Sequence, residues 1–425
     1  MLIPKSGRIG AMLSAVTMLI GIGLLLPPAA SFDEFRVALP VPVAAGDQHS
    51  LAVASDGTLW HWGMNVYQDA RSGAWILQQI LQPQRVDNID GVVAAVGKLA
   101  LKSDGTVWAI DYPEVRQVAG LSDIVIMAVG QDDALALKAD GTVWQLDPEL
   151  KPTQVPGLTD IVSVAIGAHY SSVDTSDGLY HATALKEDGT VWTWTDPNKV
   201  EVKQELTDVV AIAAGFDHQL AIKSDGTVWA WGSNTCGQTG GSIPTSIVGS
   251  PVPDYVAHQV EGIGNVTAIS AGGGEHFFSF GHSLALKSDG TVWEWGCDGT
   301  AHFNPTPKQV DGLTGGLAIA AGAEHSLVLK EDGTVNAWGW NYYGQLGDGT
   351  RTYTFSEDSV IGTPVQVIGL PSLIINYYNE YGRPYTKEEY GFWYNQNEQQ
   401  WYQGTKSTGQ IIPIALPPWK EENAP

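Results

Sequence analysis

The stretch "VVAIAAGFDHQLAIKSDGTVWAWG", Val209 to Gly232, decides the fold. Its first run, Val209 to Ala214, is apolar and small, and Gly215 ends it. The second, Gln219 to Lys223, alternates apolar and polar residues, as a half-buried strand does. Asp225-Gly226 supplies the positive backbone angles of a tight hairpin turn. The third run, Thr227 to Trp231, is β-branched and aromatic. A fourth precedes each next unit, as in "PTPKQVDGL", Pro305 to Leu313. Gly and β-branched residues stand where a helix would lose stability, and no 3.6-residue apolar period is sustained.

The same unit recurs outward in both directions. Its Asp-Gly pairs are Asp56-Gly57, Asp104-Gly105, Asp140-Gly141, Asp188-Gly189, Asp225-Gly226, Asp289-Gly290 and Asp332-Gly333. Their spacings of 48, 36, 48, 37, 64 and 43 residues vary by insertion, not by lost units. Seven units of four antiparallel strands describe an all-β, seven-bladed β-propeller. The small first strand suits the crowded axis. The Trp of "GTVW" (Trp60, Trp108, Trp144, Trp192, Trp229 and Trp293) suits the wider gap between blades further out, and the seventh unit has Asn336 there. The chain enters on a first-type strand at "VPVAAGDQHSLAV", and "TPVQVIGL", Thr363 to Leu370, follows the seventh unit. We therefore expect this C-terminal strand to close the first blade and remove a sheet edge.

Residues 1–31 read as an export signal. Lys5 and Arg8 precede an apolar run from Ile9 to Leu26, and Pro27-Pro28-Ala29-Ala30-Ser31 follows. The alternative is an uncleaved anchor, since 18 apolar residues reach the short limit for a bilayer span. Membrane contact is expected only in that case. The location implied is secreted, periplasmic or cell-envelope. Acidic residues number 46 against 22 basic, a net charge of −24, which repels phosphate backbones and argues against nucleic-acid partners. Cys236 and Cys297 are the two cysteines, too few for a metal-type cluster; one disulfide and two free thiols both fit.

"AAGAEHSLVLKEDGTVNAWGWNYYGQLGDGT", Ala320 to Thr350, and its weaker copies resemble the regulator of chromosome condensation (RCC1) repeat. The likeness runs from about Val41 to Leu370. It implies a seven-bladed propeller, residues 32–370, acting mainly as a binding platform. The family's nuclear founding member activates a small GTPase and docks on chromatin; export and acidity argue against a guanine-nucleotide exchange factor here. An ultraviolet-sensing plant relative clusters tryptophans on one face, whereas most here hold the repeat's core position. In general style the chain is similar to secreted bacterial relatives.

In a four-stranded blade, loops alternate between the two ends of the ring. The Asp-Gly turns share one face. The long insertions, Met64–Pro83, Ala168–Ala182, Ser233–His258, Gly273–His282 and Trp340–Gly362, share the other. Rigid scaffolds carry function on such loops, and aromatics dominate interface energetics. The candidate partner-binding anchors are Tyr67, Trp75, Tyr170, Tyr180, Phe277, Phe278, Phe280, Trp340, Tyr342 and Tyr343.

Catalytic and metal motifs do not stand out, and no cofactor is expected. His49, His181, His218, His282 and His325 recur after the inner strand, spread around a ring instead of gathered on one ion. His169, Asp174, Asp177 and His181, or Glu275, His276 and His282, match no strong metal motif. Ser50, Ser283 and Ser326 precede strands, not the helix of a nucleophile elbow. Residues 371–425 form an aromatic-rich extension, too apolar at Asn376–Gly404 for a simple disordered tail. Packing on the ring, a protein partner or carbohydrate stacking would each use that surface. The leading reading is an extracytoplasmic protein-binding propeller, not an enzyme. An exported glycan- or peptidoglycan-acting enzyme on the same face is the alternative.

Overall fold

The computed structural model describes residues 43–414, apart from 69–74, 112–113, 131–132, 168–181, 242–253, 275–280, 298–302, 353–359, 372, 374–389, 396–399 and 406–409. Every regular element among the described residues is a strand. Blade 1 comprises β1 (Val43–Ala45), β2 (His49–Val53), β3 (Leu59–Gln68) and β4 (Trp75–Arg85). Blade 2 comprises β5 (Val92–Val96), β6 (Leu99–Lys102), β7 (Val107–Asp111) and β8 (Glu114–Gln117). Blade 3 holds β9 (Ile124–Val129), β10 (Ala134–Lys138), β11 (Val143–Leu146) and β12 (Pro152–Gln154). Blade 4 holds β13 (Ile161–Ile166), β14 (Ala182–Lys186), β15 (Val191–Trp194) and β16 (Glu201–Val202). In blade 5 these are β17 (Val209–Ala214), β18 (His218–Lys223), β19 (Val228–Gly232) and β20 (Asp254–Gln259). Blade 6 has β21 (Val266–Ala271), β22 (His282–Lys287), β23 (Val292–Cys297) and β24 (Phe303–Gln309). Blade 7 has β25 (Gly316–Ala321), β26 (His325–Lys330), β27 (Val335–Trp340) and β28 (Val360–Gln366). Each blade is one four-stranded sheet in chain order, so the molecule is a seven-bladed β-propeller. A separate antiparallel sheet joins β29 (Tyr390–Asn395), β30 (Gln400–Thr405) and β31 (Gln410–Ile414).

The Asp-Gly hairpin works differently from its sequence reading. Only the glycine takes a positive φ, 77° at Gly226. Gly226 N–H donates to Lys223 O at 2.8 Å, and Lys223 N–H to Thr227 O at 3.0 Å, a three-residue loop ending in a left-handed glycine. The aspartate is there as an acceptor. Asp225 Oδ1 receives the Thr227 N–H at 3.0 Å and its hydroxyl at 2.7 Å. These bonds, the hydroxyl's first, hold the Asp225 carboxyl below the usual range. Trp229 Nε1 donates to Thr227 Oγ1 at 3.3 Å, and Lys223 Nζ lies 3.9 Å from the Trp229 ring centre. Gly226 also touches the next blade: a Cβ there would lie 3.2 Å from Asn265 Cα, and Gly226 O accepts from Val266 N–H at 3.1 Å.

Two expectations are corrected. The run at Thr363–Leu370 does not complete the first blade. Blade 1 has its own outer strand, β4, and β28 pairs with β27 in blade 7. Every third strand returns directly into its own outer strand, the shortest connection available, so seven units use seven such strands and none is left over. The ring closes by packing instead. Val43, Leu51, Leu59 and Trp62 of blade 1 share one core with Ala318, Leu327, Leu329 and Val335 of blade 7, and Leu373 beyond residue 370 is buried there too.

The second correction concerns tryptophan. The "GTVW" tryptophans are half-buried at the edge of the core. The fully buried indoles lie two residues further on: Trp62, Trp194, Trp231, Trp295 and Trp338. Side chains two apart share a strand face, so the first Trp points the same way but reaches only the outer margin.

Candidate partner interface

Antiparallel order puts both the first-to-second and third-to-fourth strand connections at one end of the ring. The segments between strand ends are 167–181 in blade 4, 233–253 in blade 5, 272–281 in blade 6 and 341–359 in blade 7. In blade 1 the insertion is a β-arm: β3 and β4 stay paired out to Gln68↔Trp75. These five blades are consecutive around the ring. Blades 2 and 3 are low at this end, where Gly97-Lys98 alone joins β5 to β6 and residues 130–133 join β9 to β10. The long connections therefore start from a crescent of five neighbouring blades with one gap.

Tyr67 and Trp75 sit on the arm, but their side chains lie outside the described residues. Tyr170, Tyr180, Phe277, Phe278 and Phe280 fall wholly outside them, as do His169, Asp174, Asp177, His181, Glu275 and His276. Trp340 is not an exposed anchor. It ends β27 at 4 % exposure, buried like Trp338 two residues before it. Tyr342 and Tyr343 are half-buried and meet edge-to-face, with centroids 4.9 Å apart.

Beneath these loops runs a chain of bonds from blade to blade. His218 Nε2 meets Ser283 Oγ at 2.8 Å, His282 Nε2 meets Ser326 Oγ at 3.0 Å, and His325 Nε2 meets Ser50 Oγ at 2.8 Å. Ser50 Oγ donates to Gln345 O at 3.0 Å and Ser283 Oγ to Gln238 O at 2.7 Å. The Ser50 and Ser283 protons are thus committed, so these two hydroxyls accept from an imidazole N–H. His49 Nε2 donates to Gly97 O at 3.1 Å, because the short blade 2 offers no serine. Thr183 Oγ1 donates to Gln219 Oε1 across blades 4 and 5. Burial drives the His325 pKa down to about 3, with His49 and His282 nearby, and lowers His49 as well. Each imidazole also fills the place of a side chain on an upstream glycine: a Cβ on Gly46 would lie 2.4 Å from His49 Cε1.

Two loops of the same design lock onto the following blade. In "NTCGQTG", Asn234–Gly240, Asn234 Oδ1 accepts from Thr239 N–H and Gln238 Oε1 from Cys236 N–H. In "NYYGQLG", Asn341–Gly347, Asn341 Oδ1 accepts from Leu346 N–H and Gln345 Oε1 from Tyr343 N–H. The first loop lies against Pro305 of blade 6, and the second against Leu81 of blade 1, where Gly349 N–H donates to Leu81 O at 3.0 Å. Cys236 and Cys297 form a disulfide, Cα to Cα 5.3 Å, that bolts the first loop to blade 6. The equivalent positions at the second loop are Tyr343 and Met64. The repeated Asn-x-x-Gly-Gln-x-Gly phrase was the available signal for both loops.

The two turns beside Tyr343 are joined by Ala323 N–H donating to Gly46 O at 3.1 Å, which brings Glu324 and Asp47 to the same seam. Burial raises the Tyr343 hydroxyl pKa, and Tyr342, Glu324 and Asp47 add to the rise. Among the described residues, no three His, Cys, Asp or Glu side chains gather about one point, and no helix is long and apolar enough to cross a membrane.

Family models of the regulator of chromosome condensation (RCC1) repeat match residues 43–68, 209–238, 317–345 and 332–376. The chain is therefore a seven-bladed β-propeller that carries RCC1 repeats. Over 151 residues it is 28 % identical to Protein pim1 of Schizosaccharomyces pombe, a stretch covering 32 % of this chain and 26 % of that protein. Among solved structures it is similar to Prp20p of Saccharomyces cerevisiae, at 17 % identity and a TM-score of 0.47, covering 87 % of this chain and 90 % of that one. That structure's report concerns binding to Gsp1p and histones. Human WBSCR16 is similar at 18 % identity and a TM-score of 0.43, covering 82 % and 83 % of the two chains.

Proposed function

We propose that the protein is an extracytoplasmic scaffold that binds a protein partner on the crescent face. One observation carries this reading: the strand ends that the long connections of five consecutive blades join all lie at a single end of the ring. Beneath them, His218, His325, Ser50 and Ser283 are engaged in hydrogen bonds between blades, which supports a bracing role for these side chains. The location is supported by the basic, apolar, small-residue order of residues 1–31 and by the disulfide, a bond that persists in oxidising compartments.

The test is affinity capture from native envelope and culture fluid. The bait is the mature protein, compared with a variant whose segments 168–181 and 275–280 are replaced by short Gly-Ser links. The partner is retained by the first and lost by the second. Equal capture by both baits moves the binding surface elsewhere.

A further inference from the structure

The sister loops at Asn234 and Asn341 separate what the fold requires from what it does not. Both keep the Asn and Gln braces. At the two intervening positions the first loop has Thr235 and Cys236, the latter buried in the disulfide. The second places there two half-buried tyrosines in contact. Thr235 satisfies the same backbone at the Tyr342 position, so the loop's fold alone does not call for that aromatic; Tyr343 stands where the first loop is held by its disulfide. Two carboxylates from neighbouring turns, Glu324 of blade 7 and Asp47 of blade 1, lie at the same seam.

We propose that Tyr342, Tyr343, Glu324 and Asp47 form a recognition site for a basic side chain, arginine or lysine, presented by the protein docked on the crescent face. This rests on the reading of that face as the partner surface. An aromatic ring face attracts a cation, and flanking carboxylates supply its counter-charge. The net charge of −24 draws a basic partner from a distance, and the seam gives it a fixed point of attachment.

The probe is a fluorescein-labelled Gly-Ser-Arg-Gly-Arg-Ser-Gly peptide, read by anisotropy against its citrulline counterpart, which keeps the shape and removes the charge. The arginine peptide binds saturably at low salt and the citrulline peptide at least about fivefold more weakly. Tyr342→Thr, the residue of the sister loop, lowers affinity about three- to fivefold, and Tyr342→Phe leaves it unchanged. Asp47→Asn with Glu324→Gln lowers it about fivefold or more. Glu261→Gln with Asp311→Asn removes equal charge at the opposite end of the ring and changes affinity less than about twofold. Equal losses from both charge pairs, or equal binding of the two peptides, would overturn the proposal. Circular dichroism of Tyr342→Thr checks folding, and the Tyr342→Phe arm reads the site independently. If the peptide result fails while loop shortening still abolishes partner capture, the seam site falls and the crescent reading stands.

Discussion

Blades 5, 6, 7 and 1 and blades 2 and 3 solve one packing problem in two ways. The first group uses a buried tryptophan (Trp231, Trp295, Trp338, Trp62), a histidine bonded to the next blade, and a bulged outer strand. The second uses Ile110 and Leu146 at the tryptophan position, and Lys98 and Asp133 near the histidine position. Asp133 turns inward to accept from Gln145 Nε2 at 2.8 Å within its own blade. Blade 4 shares the buried tryptophan, Trp194, and bonds to blade 5 through Thr183; its His181 lies outside the described residues. What both groups keep is the Asp-Gly-Thr hairpin. The hairpin alone therefore makes a blade, and the histidine and tryptophan brace the sector that carries most of the insertions. The family models match only blades 1, 5 and 7, all in the braced sector.

The largest test of that division is the disulfide. Cys236→Ser with Cys297→Ser opens a loop of 61 residues and is expected to cost about 4 kcal/mol by loop entropy. Urea unfolding measures it, and reduction of the unmodified protein should reproduce it. A negligible cost would mean that the Asn and Gln braces hold the seam between blades 5 and 6 unaided.

Acid is the next probe, and it acts on the braced sector. The folded pKa of His325 is about 3 against an ordinary value near 6.5. Between those values the unfolded chain binds the proton and the folded chain does not. Stability is thus full above pH 6.5 and falls as pH drops, by up to about 1.4 kcal/mol per pH unit for this group. His49 shifts the same way and steepens the slope. The aspartates of the hairpins, held low by their threonine bonds, lose their contribution only as pH falls through their lowered pKa values, below about 4. Melting curves from pH 7 to 4.5 should show the histidine limb alone, and His325→Gln should make it shallower, with His49 and His61 keeping the rest.

A single hydroxyl separates the sectors further. Ser50→Ala leaves the His325 N–H buried without its acceptor and removes a donor from Gln345 O, at a cost of about 2 kcal/mol. Asp133→Asn in blade 3, half-buried and bonded within its own sheet, should cost less than about 1 kcal/mol. Equal costs would erase the distinction between the sectors.

The hairpins were legible because every determinant is local: acceptor, glycine and tryptophan lie within five residues. The insertion face was legible because antiparallel strands must alternate ends. Ring closure was misread because outer strands share little pattern, and nothing in "TPVQVIGL" says which sheet it joins. The His–Ser links were invisible because the partners stand 65, 44 and 275 residues apart. Tryptophan was assigned one position too early along the strand face, since "WAW" and "WEW" offer two indoles with the same orientation. Trp340 is buried at the end of its strand, which the sequence of its loop does not reveal.

The smallest expected effect tests whether the seventh blade departs from the others by need or by tolerance. Asn336 holds the position at which six blades place a tryptophan donating to the hairpin threonine. In blades 2 to 6 a lysine sits over that ring. Blade 7 has the lysine without the ring, and Lys330 Nζ turns to Asp332 Oδ2 at 3.4 Å, an exposed pair of little worth. Asn336→Trp should draw Lys330 onto the new indole and give Thr334 its missing donor, a gain of about 0.5–1 kcal/mol. Thermal melting reads the change. A gain means that blade 7 merely lacks a fastener the other hairpins have. A loss means that the space beside Asn336 is already taken at the closing seam, where blades 7 and 1 meet without a shared strand, and that the asparagine is part of how the ring shuts.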